Sequence, residues 1–430
     1  MVVCKTCLST VIILFLLVAF FSTPSEGKIY LDVYGKSFKK ITIGIPYFKS
    51  VSAEKSSREM NDVLNKDLDF SGFFIVAPHT LFDKELTDEG IDKKDIQFGK
   101  WRSLGVEILC KGTVHQQNGE IVFEGYVYDT LDGSLLLAKR YKTQQTEWRK
   151  IIHKFADDII QILTGEKGIM SSRIIFVSGG RYTKEIYTAD IDGHNVQRIT
   201  RYRSITILPS ISPNGKYLAY TSYKEGKPNL FIMNLENNTE IYAERGEGMK
   251  FGTSWRGSTL LYSHTVGRKS TIYALDVEKK NKTVIISKDG IFTSPSFSPD
   301  GSKMIFVSDM HGGPQIFITD LSTGAIKRLT YAGNYNTSPT FSPKGDLIAF
   351  VCSVEGTFEI CTMNADGSNQ RVLTSGTMND SPQFSPCGRY ILYTSQKGGK
   401  HTINLMLING ENKRSLTFTE GSEEQPKFIP

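Results

Sequence analysis

One heptapeptide recurs through the second half of the chain and limits the possible folds more than any other feature. Pro209-Ser210-Ile211-Ser212-Pro213-Asn214-Gly215, Pro295-Ser296-Phe297-Ser298-Pro299-Asp300-Gly301, Pro339-Thr340-Phe341-Ser342-Pro343-Lys344-Gly345 and Pro382-Gln383-Phe384-Ser385-Pro386-Cys387-Gly388 are variants of one pattern. Their first prolines stand 86, 44 and 43 residues apart. Periods of this length mark solenoids, propellers and arrays. The 86-residue interval holds a unit without the motif, where Ser254-Trp255-Arg256-Gly257 takes its place in shortened form. Ser at i, Pro at i+1 and Gly at i+3 suit a type I β-turn, because proline presets φ.

Each turn precedes a β-rich run: Tyr217–Tyr220, Leu260–Ser263, Met304–Ser308, Leu347–Cys352 and Tyr390–Ser395. A Gly-rich loop, a second run and a tight turn then lead to a last short run. Asp190-Ile191-Asp192-Gly193 and Asn364-Ala365-Asp366-Gly367 supply Asp-Gly hairpins. The first of these has the start of a calcium loop but not its distal ligands, and reads as a hairpin. Four strands per repeat is the arithmetic of a propeller blade. The repeat opens at Arg173–Ser178, which matches a second strand, and ends at Pro426-Lys427-Phe428-Ile429-Pro430, which matches a first strand. The two ends should share one blade, giving six in all and removing the open sheet edges.

Residues 41–168 lack the period. Ile41–Pro46, Phe73–Val76, Glu107–Val114, Ile121–Asp129 and Leu135–Thr143 read as strands, with Asn118-Gly119 and Asp132-Gly133 as turns. Ser56–Leu68 and Ile96–Leu104 read as helices. A third helix follows Thr146 as its cap, with Trp148, Ile151, Ile152, Phe155, Ile159, Ile162 and Leu163 as its apolar stripe and Gly165 as its end. The expected fold class is an α/β N-terminal domain followed by an all-β six-bladed β-propeller, residues 169–430, closed by the C-terminal strand.

Two segments precede these domains. Residues 1–27 combine Lys5, the apolar run Val11–Phe21 and the small residues Ser25 and Gly27 before a cleavage point. This is the pattern of a secretory signal peptide, too short to span a membrane. Residues 28–40 follow, and Lys28-Ile29-Tyr30-Leu31-Asp32-Val33 alternates like a strand. It reads equally as an edge strand of the α/β sheet or as an arm that pairs with another protein by β-augmentation.

The composition sets limits on function. The net charge of +6 over 430 residues gives no concentrated basic patch for nucleic acid. Six cysteines are too few for a disulfide scaffold. Cys352 and Cys361 fall on one hairpin, but cross-strand disulfides are geometrically demanding, so free buried thiols are the expectation. The seven histidines are scattered, with His264, His311 and His401 in related loops. No zinc helix, Cys-x-x-Cys, phosphate loop or nucleophile elbow occurs. No cofactor or metal is expected. A propeller-containing hydrolase or lyase is the alternative reading, to be revived by reaction with an active-site serine probe.

The domain order and the Pro-x-Phe-Ser-Pro-Asp-Gly repeats together resemble the TolB family, periplasmic components of the Tol–Pal system. The chain departs from that pattern at Ser254–Gly257, and carries Lys344 and Cys387 where the turn has Asp. The resemblance implies a monomeric, non-enzymatic adaptor in the periplasm, without membrane insertion. Its propeller would bind the lipoprotein Pal, and its arm, here Lys28, Ile29, Tyr30, Leu31, Asp32 and Val33, would bind TolA. Outer-membrane integrity and constriction at cell division would depend on it. The Pal face carries over onto the loops before each repeat: Ile205, Thr206 and Ile207; Met249 and Phe251; Ile291, Phe292 and Thr293; Tyr335, Asn336 and Thr337; Met378, Asn379 and Asp380. These loops carry apolar and aromatic residues where a solvated loop is normally polar. They read either as an exposed partner site or as side chains tucked into the channel.

Overall fold

The computed structural model describes residues 39–50 and 53–430, with Thr253 described by its backbone alone. Residues 1–27, expected as a signal peptide, and the segment Lys28–Val33 lie outside the described residues.

The α/β domain is a mixed sheet covered by helices. Its elements are β1 (Ile41–Gly44), β2 (Lys49–Ser50), α1 (Glu54–Ser71), β3 (Phe74–Val76), α2 (Lys84–Asp88), α3 (Phe98–Ser103), β4 (Ile108–Gln117), β5 (Glu120–Asp129), β6 (Leu135–Gln144) and α4 (Trp148–Thr164). The strand order is β3-β1-β4-β5-β6, with β2 added beside β4. β1 runs parallel to β3 and β4, and the long β4-β5-β6 meander is antiparallel. Asn118 and Gly119, both at positive φ, turn β4 into β5. α1 and α4 lay Met60, Leu64, Phe155 and Ile159 onto the sheet. Gly125 in β5 has no room for a side chain, because an added Cβ would lie 2.3 Å from the Phe155 ring.

Two local expectations change. Thr146 does not cap α4. A 3-10 turn over Gln145–Glu147 precedes the helix, and Glu147 occupies the cap position without a side-chain bond. Ile162 lies 46% exposed, off the buried stripe of Ile152, Phe155 and Ile159.

The propeller consists of six four-stranded antiparallel sheets. Blade 1 is Thr206–Ile211, Tyr217–Ser222, Asn229–Asn234 and Thr239–Glu244. Blade 2 is Met249–Arg256, Thr259–Val266, Lys269–Asp276 and Asn281–Asp289. Blade 3 is Phe292–Phe297, Lys303–Ser308, Gln315–Asp320 and Ile326–Arg328. Blade 4 is Asn336–Phe341, Leu347–Val354, Thr357–Asn364 and Arg371–Val372. Blade 5 is Met378–Phe384, Tyr390–Lys397, Lys400–Leu407 and Arg414–Leu416. In blade 6, Ser422–Phe428 pairs with Arg173–Gly179, followed by Lys184–Asp190 and Gln197–Arg198. Second strands are sandwiched between neighbouring blades, so both faces are covered. Tyr217–Ser222 is buried throughout.

The heptapeptide turn works as its sequence implies. In each copy the glycine N–H donates to the serine carbonyl: Gly215 to Ser212, Gly301 to Ser298, Gly345 to Ser342 and Gly388 to Ser385, at 2.8–2.9 Å. The serine hydroxyl accepts from the N–H that opens the next strand, at Tyr217, Lys303, Leu347 and Tyr390. It also donates to Asn214 or Asp300 within the turn. In blade 4, where Lys344 replaces the acid, Ser342 reaches Asp346 instead, 2.6 Å away. Blade 2 lacks the turn and closes with a tight hairpin after Arg256. Trp255 compensates by stacking on Tyr217 and donating to the Ser210 carbonyl of blade 1, while Arg256 donates to Gly301 of blade 3.

The thiol expectation is overturned. Cys352 and Cys361 form a disulfide, with Cα atoms 6.0 Å apart. Register is the reason. Cys352 faces Glu359 and Cys361 faces Phe350, so the cysteines lie diagonally across the ladder with both side chains on one face.

The α/β domain sits against the turn ends of blades 5 and 6. Tyr390 donates to the Ser71 carbonyl at 2.6 Å, and Arg414 pairs with Asp69 at 2.9 Å. His153 of α4 is buried between Asp67 of α1, 2.7 Å from its Nδ1, and Asp192 of blade 6, 3.1 Å from its Nε2. The second contact is an ion pair set off the hydrogen-bond line, so Nε2 has no true acceptor. Arg149 also binds Asp192. Burial opposes a charge on His153, but Asp192 and Asp67 outweigh it and raise its pKa to about 9. Burial pushes Asp67 up to about 6, against the pull of His153. The two shifts disagree about how strongly the pair is ionised. Carboxylates on both sides of the His153 ring favour its charged form.

Candidate functional site: the free mouth of the propeller

The first strands all begin at the mouth opposite the α/β domain. The segments expected as loops are the opening residues of these strands, together with Ile205, Ile291 and Tyr335 immediately before them. They pair with the second strand from the outset: Thr206 with Ser222, Met249 with Thr265, Phe292 with Ser308, Asn336 with Cys352 and Met378 with Gln396. Strand alternation therefore sorts them.

The first position points outward. Met249 is 48% exposed, Ile291 42%, Tyr335 38% and Met378 48%. Ile205 is half-exposed. Tyr335 rests against the Phe358 ring at 5.0 Å. The second position points inward. Thr206, Phe292, Asn336 and Asn379 are buried, as is Lys250, which lies between Met249 and Phe251. Phe292 stacks on Phe306 within the core. The Lys250 ammonium is bound by the carbonyls of Gly246, Glu247 and Gly248. The third position, Ile207, Phe251, Thr293 and Thr337, is half-exposed. Water reaches Asp380 at the same position. Yet the surrounding protein desolvates its carboxylate and raises its pKa, against bonds from the Ser381 N–H and the Ser338 hydroxyl.

The fourth position is conformationally special. Leu208, Ser294, Ser338, Ser381 and Gln425 all have φ of 50–55°. Such left-handed residues cost of order 1 kcal/mol or more each. The proline that follows disfavours the right-handed helical region, and the strand bulges at this point in every blade. These residues and their prolines line a cavity of about 120 Å³ at the ring axis.

A second repeat stands behind the rim, and it was not read from the sequence. Arg198-Ile199-Thr200, Arg328-Leu329-Thr330 and Val372-Leu373-Thr374 end their blades in threonine. Each hydroxyl accepts from a third-strand N–H, at Ile186, Ile316 and Ile360. Each donates to the preceding side chain, at Glu185, Gln315 and Glu359. Asn336 and Asn379 plug into these hubs, donating to Gln315 at 2.9 Å and Glu359 at 2.8 Å. The two asparagines thus hold the rim in place from within. A recurring threonine at the blade end was the available signal.

The three histidines do not converge. His264 is 2.8 Å from the Glu247 carbonyl, His311 packs near Phe317 and His401 is 2.9 Å from Glu424. Among the described residues no group of three or more His, Cys, Asp and Glu could hold a metal ion. No described helix is long and apolar enough to cross a membrane. The geometry suits docking: apolar side chains in a ring, carried on rigid strand ends.

A family model described as the TolB β-propeller domain matches residues 160–430, and one described as the TolB amino-terminal domain matches residues 29–136. A curated "Protein TolB homolog" of Chlorobium luteolum is 37% identical over 285 residues, covering 66% of this chain and 65% of its own length. The "Tol-Pal system protein TolB" of Desulfosudis oleivorans is 33% identical over 251 residues, 57% of either chain. The chain thus spans less than two thirds of the length of these curated relatives. The crystal structure of TolB from Acinetobacter baumannii superimposes with a TM-score of 0.80 at 25% identity, covering 91% of this chain and 97% of that one.

Proposed function

This chain belongs to the TolB family, and from that membership we propose that it is a periplasmic adaptor of the Tol–Pal system. Residues 1–27 direct its export. Pal docks on the free mouth of the propeller, and the arm Lys28–Val33 engages TolA. Through both contacts the protein supports outer-membrane integrity and constriction during division. The observation that carries the Pal reading is the apolar first position, repeated as Ile205, Met249, Ile291, Tyr335 and Met378 around one mouth. Exposed apolar residues clustered in this way mark partner sites.

Phe292, Thr206, Asn336 and Asn379 serve this face as supports, since they are buried. Calorimetric titration of the mature chain with the soluble domain of Pal tests the reading. Tyr335→Ala and Met378→Ala should each weaken binding by about 1–2 kcal/mol, as interface anchors do. Unchanged affinity in both would remove the assignment. Deleting Lys28–Val33 should abolish TolA binding and leave the melting temperature in place.

A further inference from the structure

The apolar ring is incomplete, and the gap has its own chemistry. In blade 6 the first position is Ser422 instead of an apolar residue. Beside it a recess of about 660 Å³ opens between the hairpins of blades 5 and 6. Arg181, Lys184, Lys400 and His401 stand in its walls, with Glu424 among them. Glu424 is 8% exposed and already engaged, by Lys184 and by His401 Nδ1 at 2.9 Å. Arg181 and Lys400 are exposed. Arg181 lies over the Tyr182 ring and Lys400 donates to the Glu420 carbonyl at 3.2 Å, so neither charge is neutralised by a carboxylate within 4 Å among the described residues. Arg201, Arg203 and Lys397 extend the cationic field over the adjoining blade ends. Glu420, Glu423 and Glu424 oppose these cations, and the last two are buried. The same mouth over blades 3 and 4 is different. Loops 309–314, 331–335 and 354–357 contain no lysine or arginine, and present Tyr331 and Tyr335.

We propose that the recess between blades 5 and 6 takes carboxylate side chains from an acidic segment of the protein partner that docks on this mouth. The proposal rests on reading the mouth as a docking face, and it gives that face a polarity. The partner's apolar part lies on Tyr335 and Met378, and its acidic part enters beside Ser422. Met378 on one side and Ile205 on the other border the recess, so one partner can reach both. Lys184 already balances Glu424, which leaves Arg181 and Lys400 to meet incoming charge. The concave shape admits a few side chains. A flat anionic membrane would read only the outermost cations. Charges placed around an apolar centre set association rate and orientation, and salt screens them.

The test uses the mature chain, the soluble domain of Pal and titrations at low and high salt. Arg181→Glu with Lys400→Glu should weaken binding about tenfold or more at low salt and flatten the salt dependence. Tyr335→Ala should weaken binding about equally at both salts. An unchanged melting temperature shows that the charge-reversed chain is folded. If that chain binds Pal as tightly and with the same salt dependence as the wild type, the recess assignment is wrong while the docking reading stands. If the wild type does not bind Pal, the docking reading fails, and a carrier-linked oligoglutamate peptide decides the recess. Binding that the reversal removes supports it, and no binding overturns it. Binding to phosphatidylglycerol vesicles without binding to Pal or the peptide also overturns it, in favour of a membrane headgroup.

Discussion

Blades 1 to 5 and blade 6 share one architecture and are assembled differently. In the first five, four strands follow one another along the chain. In blade 6 the inner strand Ser422–Phe428 arrives from the far end of the sequence to pair with Arg173–Gly179. The contiguous blades keep the regular docking pattern, with an apolar residue at the first position and a buried one at the second. The composite blade keeps the bulge and the left-handed Gln425, but not the apolar residue. The bulge near the axis is common to the ring, though blade 2 has Gly252-Thr253 in place of the left-handed residue and its proline, while rim chemistry is set blade by blade.

The largest break in that comparison would come from removing Ser422–Pro430. Ile174, Ile175, Phe176 and Val177 would lose the strand that covers their inner edge. The propeller should then lose its single cooperative unfolding transition, as followed by circular dichroism. Removal of any other comparable length of surface loop should not do this.

Next in size is the contrast between the first and second positions of a contiguous blade. Phe292→Ala empties a core site and should cost about 3–5 kcal/mol in urea unfolding. Tyr335→Ala, on the exposed position, should stay within about 0.5 kcal/mol while still reducing Pal affinity. Equal losses of stability would contradict the alternation.

The blade-end hubs come third. Thr374→Val leaves the Ile360 N–H and the Glu359 carboxylate each short of a partner, and should cost about 1–3 kcal/mol. In blade 4, the double change Cys352→Ser and Cys361→Ser should lower stability by about 2 kcal/mol. Thiol titration of the denatured, unreduced protein should show the pair as unavailable.

The smallest effect separates the propeller from the domain attached to it. His153 has a folded pKa of about 9 against an ordinary 6.5. Its contribution to stability is complete below pH 6.5 and disappears as the pH rises through about 9. Asp67, raised to about 6, has already given up its proton by then, and any stability tied to that proton is gone. The melting-temperature difference between wild type and His153→Gln should therefore shrink between pH 6.5 and 9. A difference constant across that range would show that the histidine acts without charge.

The legible parts of the fold are those written in local chemistry. The serine–proline–glycine turn states its own hydrogen bonds, and four copies at one spacing state the blade. Even the anomaly at Ser254–Gly257 was visible as a missing turn. The rim was legible as a ring of residues but not as a surface. Phe292 and Ile291 are neighbours in sequence, and only pairing with the second strand turns one inward and the other out. The disulfide was missed for a related reason. A nine-residue separation does not say which residues face each other, and a register shift would have placed the two sulfurs apart. The threonine hubs were legible in principle, as a recurring blade-end residue, but a hydroxyl near a strand end carries no mark of the glutamate it will bind.

By itself the sequence determined the number of blades, their turns and the closure by the two ends of the repeat, because each depends on residues close in the chain or on a fixed period. The tertiary structure alone decided which rim side chains meet solvent, which carboxylates enclose His153, and where the cationic recess lies. Those outcomes depend on paired strand residues up to 254 positions apart, as with Ile174 and Phe428. Their contacts exist only once the ring has closed and the strand register is set.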